Sequence, residues 1–450
     1  MLEYTPTNCV PSVLDLLVAL NPWWSARPFE TGIRREKYFT KIRKYLETGE
    51  VVVLTGVRRS GKTTLLFQII DDLIHNRRVD PRSILFVNCD EPEIARLEDP
   101  LETLLETYRR DVYGGDAPYL IFDEIQTLEG WERWIKSLYD RKKFTLIISG
   151  STSYLLDSNL STLIAGRYLP VHVYPLDFAE YVVFSGEDLP HDPVSLASAK
   201  YRLLHLLGEY IREGGFPQVV LSDDETIRRD QLAAYYDSIV YRDIVRVNEV
   251  RNQKALGDLL TYCMTNVTSF YSYRNLQEVL GIDFETVREY LYYAEKAKIL
   301  FEVQYFSSSL KTQSRNNKKI YCIDNGLRNA VSFRFSEDEG RLAENLVFIE
   351  LKKQGREVYY WKKQGEVDFV VKNPDRSLSA ISVSYTDSLP AREEKALLEF
   401  ANLHGSRVRE CILLTKDTEK REGTVRYIPL WKWLLDGGAI SQACVPQIRF

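Results

Sequence analysis

No Cys-x-x-Cys pair occurs anywhere in the chain. Its six cysteines, Cys9, Cys89, Cys263, Cys322, Cys411 and Cys444, stand far apart. That scatter argues against a zinc site and a disulfide framework, and for a reducing, cytoplasmic setting. No apolar run approaches the length of a membrane span: Val13 to Leu20 is short and holds Asp15. The start, Met1-Leu2-Glu3-Tyr4, carries no basic segment, so no signal peptide is expected. Positive charge is not in excess either. The net charge is -5, so no global field demands nucleic acid, while a local basic patch stays open. What is present suits a globular protein of two to three domains: 450 residues, 44% hydrophobic and 27% charged.

The stretch that organises the rest is Val51 to Leu66, VVVLTGVRRSGKTTLL. Val51-Val52-Val53-Leu54 reads as a fully buried strand. It runs into Gly56-Val57-Arg58-Arg59-Ser60-Gly61-Lys62-Thr63, the G-x-x-x-x-G-K-[ST] pattern, with Thr64 as the next candidate contact, and on into an apolar helical run through Leu66, Ile69 and Ile70. Glycines let the backbone wrap an anion without Cβ clashes, so that N–H groups point at phosphates. The helix opening at Lys62 adds the positive end of its dipole. The lysine ammonium reaches the β- and γ-phosphates, and the Thr63 hydroxyl is a ligand for Mg²⁺.

Two later strands complete the expected site. Tyr119-Leu120-Ile121-Phe122-Asp123-Glu124 is an apolar run ending in two carboxylates, the Walker B form. Asp123 then stands beside the metal with Thr63, and Glu124 where a water is activated. Thr145 to Ser151 is a further strand, and Ser149 or Ser151 fits a γ-phosphate sensor or, equally, a helix N-cap. Arg167, before the strand Tyr168 to Val173, fits an arginine acting on the ATP of a neighbouring subunit, or a surface arginine. Ahead of the P-loop, Trp24, Pro28 and Phe29 are candidates for adenine contact or for simple packing.

The series GVRRSGKTT, YLIFDEIQ, GWERWIKSLYD, LIISGSTSYLL and GRYLPVHVYPLDFAEY resembles the AAA-type ATPases common in archaea and bacteria, of the class with an added catalytic glutamate. The likeness runs from about Arg34 to about Val371. It implies an α/β P-loop core followed by helices, a winged helix and a C-terminal domain of unknown role. Related signalling ATPases carry a Gly-x-Pro that reports on bound nucleotide, and Gly215 and Pro217 match it; a glycine pair before proline is also an ordinary helix stop.

The expected division is a helical lead-in over 1–48, a P-loop core over 49–177, a helical lid over 178–235, a winged helix over 236–325 and a C-terminal α/β domain over 340–450. In the winged helix, Val287, Tyr290, Leu291 and Ala294 form the buried face of the third helix, and its polar face mixes charges in a way that suits DNA poorly. The basic stretch Lys311 to Lys319 is expected as a loop that lies on phosphates or is merely solvated. The C-terminal domain resembles the restriction-endonuclease-like fold, with Glu344 on the helix and Asp368 on a strand. Where that fold carries Glu-x-Lys, this chain has Ser382-Val383-Ser384, so a non-cleaving domain is expected.

Together these readings give an ATP-binding, Mg²⁺-dependent ATPase that works as a nucleotide-driven switch. The alternatives are a DNA-binding ATPase machine and, less favoured, an ATP-gated nuclease. Expected partners are ATP, double-stranded DNA or a protein, and further copies of the chain; no membrane association is expected.

Overall fold

The computed structural model describes residues 12–151, 166–332, 339–386 and 390–438. The chain divides into two compact units: Met1–Gly56 with Gly61–Val173, and Val57–Ser60 with Tyr174–Phe450.

The first unit is built on five parallel strands in the order β2-β3-β4-β1-β5. They are β1 (Val51–Gly56), β2 (Ile84–Asn88), β3 (Tyr119–Asp123), β4 (Thr145–Ser151) and β5 (Tyr168–His172). Every residue of β1 is buried, as expected of a central parallel strand covered on both faces. Each buried Val or Leu there contributes about 1.5–3 kcal/mol. The helices Lys62–Asp71, Pro100–Asp111 and Trp131–Arg141 flank the sheet. This is the P-loop NTPase fold, with the loop at the carboxyl end of a central strand.

One sequence expectation changes in this unit. The stretch Arg34 to Leu46, whose sequence reads as a helix leading into the Val51 strand, is not one helix. A 3-10 turn, Glu36–Tyr38, precedes the helix Phe39–Leu46, because the Arg35 N–H is drawn to Gln68 Oε1 at 3.2 Å and leaves Arg35 non-helical. Trp24 is buried, donates from Nε1 to Ile84 O at 2.8 Å and stacks on Tyr108, so its place is one of packing; Phe29 lies against Trp23 and Phe67.

The second unit begins with helices Phe178–Phe184, Pro193–Glu213, Pro217–Val220 and Glu225–Ile239. Helices Gln253–Thr265, Tyr273–Leu280 and Phe284–Lys296 follow, with a small antiparallel sheet β6-β8-β7 of Phe270–Tyr271 (β6), Leu300–Val303 (β7) and Lys318–Cys322 (β8). Val287, Tyr290, Leu291 and Ala294 are the buried face of Phe284–Lys296. Part of the expected basic loop is instead the short helix Leu310–Arg315, capped by Ser309, whose Oγ accepts from Thr312 N–H at 3.3 Å.

After the helix Glu339–Lys353 comes a six-stranded mixed sheet in the order β13-β14-β12-β11-β10-β9. Its strands are β9 (Glu357–Lys362), β10 (Glu366–Lys372), β11 (Leu378–Ser384), β12 (Val408–Thr415), β13 (Lys420–Glu422) and β14 (Val425–Pro429). Asp368 lies one residue from the Phe369–Ile381 pair of β10 and β11, which brings it level with the Ser382-Val383-Ser384 segment.

Candidate functional site

The P-loop curls because Arg59 and Gly61 both take left-handed backbone, at φ 65° and 93°. Gly61 is also the N-cap of Lys62–Asp71 and makes no side-chain capping bond, so no side chain competes for the first amides of that helix. The Lys62 side chain is 4% exposed and folds back, its Nζ 3.2 Å from Gly56 O and 3.8 Å from Glu124 Oε1.

Asp123 ends β3 beside this loop and is buried. Thr63 Oγ1 donates to its Oδ2 at 2.6 Å, and Ser149 Oγ donates to its Oδ1. Burial raises the Asp123 pKa, and the Glu124 charge raises it further; the Ser149, Thr63 and Lys62 contacts oppose this. Glu124 sits at φ 49°, a strained setting for a glutamate, and Gln126 Nε2 holds its Oε2 at 2.6 Å. Its backbone N–H reaches Ser149 Oγ at 3.4 Å. Ser149, inside β4, thus meets the carboxylate that Thr63 meets; it is not a helix cap. Lys62, Thr63, Asp123, Glu124 and Ser149 converge.

Other expected residues fall elsewhere. Arg167 is exposed, lies over the Tyr139 ring at 5.9 Å, and gives its carbonyl to Val51 N–H. Val51 opens β1 and Gly56 closes it, so Arg167 stands at the opposite strand end from the loop, roughly 17 Å away at about 3.3 Å per residue. Gly215 and Pro217 belong to the second unit. The Gly215 N–H donates to Asp324 Oδ2 at 2.7 Å, and a Cβ there would meet Leu176 O at 2.5 Å, so close backbone approach accounts for the glycine. Pro217 opens a four-residue helix. Of the loop residues grouped with that unit, Val57 and Ser60 are buried, Arg58 Nε donates to Asp243 Oδ1 at 3.0 Å, and Arg59 lies over the Tyr235 ring. Thr64 is exposed, next to Gly32.

A second carboxylate cluster formed where the sequence pointed only to Glu344 and Asp368. The Lys319 side chain, 2% exposed, lies 2.6 Å from Glu366, 2.8 Å from Glu344 and 3.3 Å from Asp368. A lysine from β8 thus meets the carboxylates, and Lys319 is not free to lie on phosphates. Lys318 is likewise tied to Glu302 at 3.0 Å. Tyr321 donates to Glu344 at 2.7 Å, and Val383 N–H to Asp368 Oδ2 at 2.9 Å. Burial pushes Glu344 up to about 7 and raises Asp368, against the pull of Lys319. Alternation of β8 was the available signal: it puts Lys319 on one face with Tyr321.

Comparison with known proteins bears on the whole chain. A family profile described as an AAA domain matches residues 48–182; two described as domains of unknown function, DUF8612 and DUF4143, match 204–338 and 339–433. The uncharacterized protein MJ1544 of Methanocaldococcus jannaschii is 31% identical over 404 residues, 86% of this chain and 88% of that one. An uncharacterized protein of Haemophilus influenzae is 29% identical over 353 residues, 77% and 85% of the two chains. The solved structure of AMPPCP-bound DnaA from Aquifex aeolicus is 18% identical, covers 62% of this chain and 93% of that one, and superposes with a TM-score of 0.27, too low to carry an argument. The agreement with MJ1544 extends over most of both chains, and the protein belongs to its family, with an AAA-type, nucleotide-binding ATPase domain at residues 48–182.

Proposed function

We propose that the protein hydrolyses ATP and that the bound nucleotide switches the state of its second unit. The observation that carries this reading is the convergence of Lys62, Thr63, Asp123, Glu124 and Ser149 at the end of β1, β3 and β4. In the proposed mechanism the backbone from Gly56 to Thr63 and the Lys62 ammonium hold the phosphates. Glu124, fixed by Gln126, orients and takes the proton of the attacking water. Ser149 reports the γ-phosphate position to Asp123, with which it shares a hydrogen bond.

The oxygen donors of Thr63 and Asp123 suit Mg²⁺. Among the described residues no group of three or more His, Cys, Asp and Glu could hold a metal alone, in keeping with an ion carried largely by phosphates and water. When bound, Mg²⁺ would neutralise charge developing on the phosphates.

Arg167 completes the reading as an arginine offered to a neighbouring copy, and Gly215 with Pro217 as a nucleotide-sensing turn. Residues 236–325 are read as a winged helix, and 340–450 as a restriction-endonuclease-like domain that does not cleave, since Lys319 already neutralises its carboxylates.

The test is ATP turnover by the full chain with Mg²⁺, with and without duplex DNA, beside Lys62→Ala and Glu124→Gln. Both variants should lose turnover by roughly 10²–10⁴-fold, and Glu124→Gln should still retain nucleotide. Wild-type nucleotide binding with turnover untouched by Glu124→Gln would remove the proposed base. DNA stimulation would turn the reading toward a DNA-acting machine.

A further inference from the structure

A cavity of about 1050 Å³ in the second unit is lined by none of the residues of either carboxylate cluster. Its walls come from the edge strand β9, the β10–β11 turn, the end of the helix Ala391–His404 and the segment from Tyr305 to Gln313. That volume is at the upper end of small-ligand sites, about 300–1,000 Å³. The exposed Leu310 and Leu403, 80% and 52% accessible, stand at its rim, so it is an open trough rather than a sealed chamber.

The lining is charged against the trend of the molecule. The chain as a whole carries -5, yet Arg356, Lys363, Lys372, Arg376 and Arg407 face this cavity with one carboxylate, Glu357. Glu357 is already engaged by Lys372 at 3.0 Å. Among the described residues, Arg356, Lys363, Arg376 and Arg407 form no ion pair; Arg356 reaches only Gln354 Oε1, at 3.3 Å. Four cations without counter-charges around one concavity make a field that attracts an anion.

The remaining wall is aromatic. Tyr305, Phe306 and Tyr359 are half-buried there. Phe306 meets Tyr359 edge-on at 5.8 Å and the His404 ring at 5.5 Å, so these rings are held in place. His404 responds to the same field. Burial, and then Arg407 and Lys363, lower its pKa, and its Nε2 is closed from solvent without a partner.

We propose that this trough binds single-stranded nucleic acid, its arginines and Lys363 on successive phosphates and its aromatic rings against unpaired bases. A free phosphate would have no use for the rings. A duplex would keep its base faces stacked inside, whereas a single strand offers both a charged backbone and open π-faces. Recognition by stacking and charge is tolerant of sequence, so DNA and RNA strands share this chemistry and differ only at the 2′-hydroxyl.

Binding of labelled oligothymidylate and oligouridylate to the full chain, followed by fluorescence anisotropy without ATP, tests this independently of the P-loop. The wild type should bind a single strand more tightly than duplex of equal length, with affinity falling as salt rises. The combined variant Arg356→Gln, Arg376→Asn, Arg407→Gln should weaken it at least tenfold and lower the slope of log affinity against log salt by about 2. Asparagine is chosen because Arg376 sits at φ 68°. Tyr359→Leu should cost roughly tenfold with the salt slope unchanged. Tighter DNA than RNA binding, or the reverse, names the source. An unaltered circular dichroism spectrum and denaturation transition show that each variant is folded; should the triple variant fail to fold, Arg376→Asn alone carries the charge test. Equal affinity for duplex, equal competition by polyglutamate, or binding indifferent to the arginines overturns the proposal.

Discussion

Two buried lysines stand beside carboxylates in this molecule, and they are in opposite situations. Lys62 follows a glycine-bearing loop, folds onto a backbone carbonyl and keeps 3.8 Å from Glu124. Lys319 is surrounded by Glu344, Glu366 and Asp368 at 2.6–3.3 Å. A lysine that rests on a backbone carbonyl can exchange that partner for an incoming anion. A lysine gripped by three has its charge spent, and the same grip keeps the carboxylates from an outside cation. Burial and residue type are alike; the close grip of three carboxylates marks Lys319 as a structural group.

The same substitution at the two positions breaks the comparison most sharply. Lys319→Met removes the cation shared by Glu344, Glu366 and Asp368, leaving Lys362 on Glu366 at 3.2 Å, and losing the shared partner costs about 3–5 kcal/mol. Chemical denaturation should show that loss in the second unit, with nucleotide affinity at the P-loop unchanged. Lys62→Met should do the reverse: turnover falls by roughly 10²-fold or more, and the denaturation midpoint stays near wild type. Comparable stability losses in both variants would erase the distinction.

The next effect is one of pH. Glu344 is raised to about 7 from its ordinary 4.5, by burial first and then by Asp368, while Lys319 and Tyr321 pull it down. The folded state holds a proton that the unfolded chain releases. The stabilisation is fully present below pH 4.5 and is lost as pH rises through about 7. Glu344→Gln should flatten that window by about 2–3 kcal/mol in stability measured from pH 4 to 8. A wild-type curve with no slope there would mean that Lys319 fully compensates the burial.

The two sites also differ in how far the sequence reveals them. The P-loop is legible because its strand, turn and helix are consecutive from Val51 to Asp71, and the glycine and lysine spacing is set by the phosphate. Asp123 and Glu124 follow from a run of buried residues that can only be a central strand. Glu344 and Asp368 were likewise readable, as a helix and a strand. Lys319 was not, because its partners arrive from a helix and a strand 25 and 49 residues downstream. Its neighbours in sequence, Asn317 and Lys318, suggest a solvated tip. Arg167 shows the converse. Its place before β5 is legible, but parallel pairing carries it to the end of the sheet remote from the loop. Local chemistry survives translation into three dimensions; charges assembled across segments do not show until the sheet register is fixed.

The smallest effect comes from a cluster of reversed sign. Asp72, buried at the end of the P-loop helix, is one carboxylate held by two arginines, Arg34 at 3.0 Å and Arg43 at 2.5 Å, with Asn76 Nδ2 donating at 2.8 Å. Burial would raise its pKa, but the bonds from Arg43, Asn76 and Arg34 outweigh it and hold the carboxyl down to about 2. Here the unfolded chain takes up the proton first. The stabilisation is present above the ordinary value of 3.8 and is lost as pH falls through about 2. Both arginines are partly exposed, 35% and 40%, so solvent screening reduces the gain to about 1–2 kcal/mol. Asp72→Asn should therefore lower stability by that amount at pH 7 and match the wild type near pH 2, in denaturation of the full chain. Acid should thus strengthen the lock at Glu344 as pH falls from about 7 to 4.5, and weaken the one at Asp72 only below 3.8. If Asp72→Asn instead lost stability equally at pH 7 and pH 2, the contribution would lie in hydrogen bonding that asparagine cannot reproduce, and not in charge.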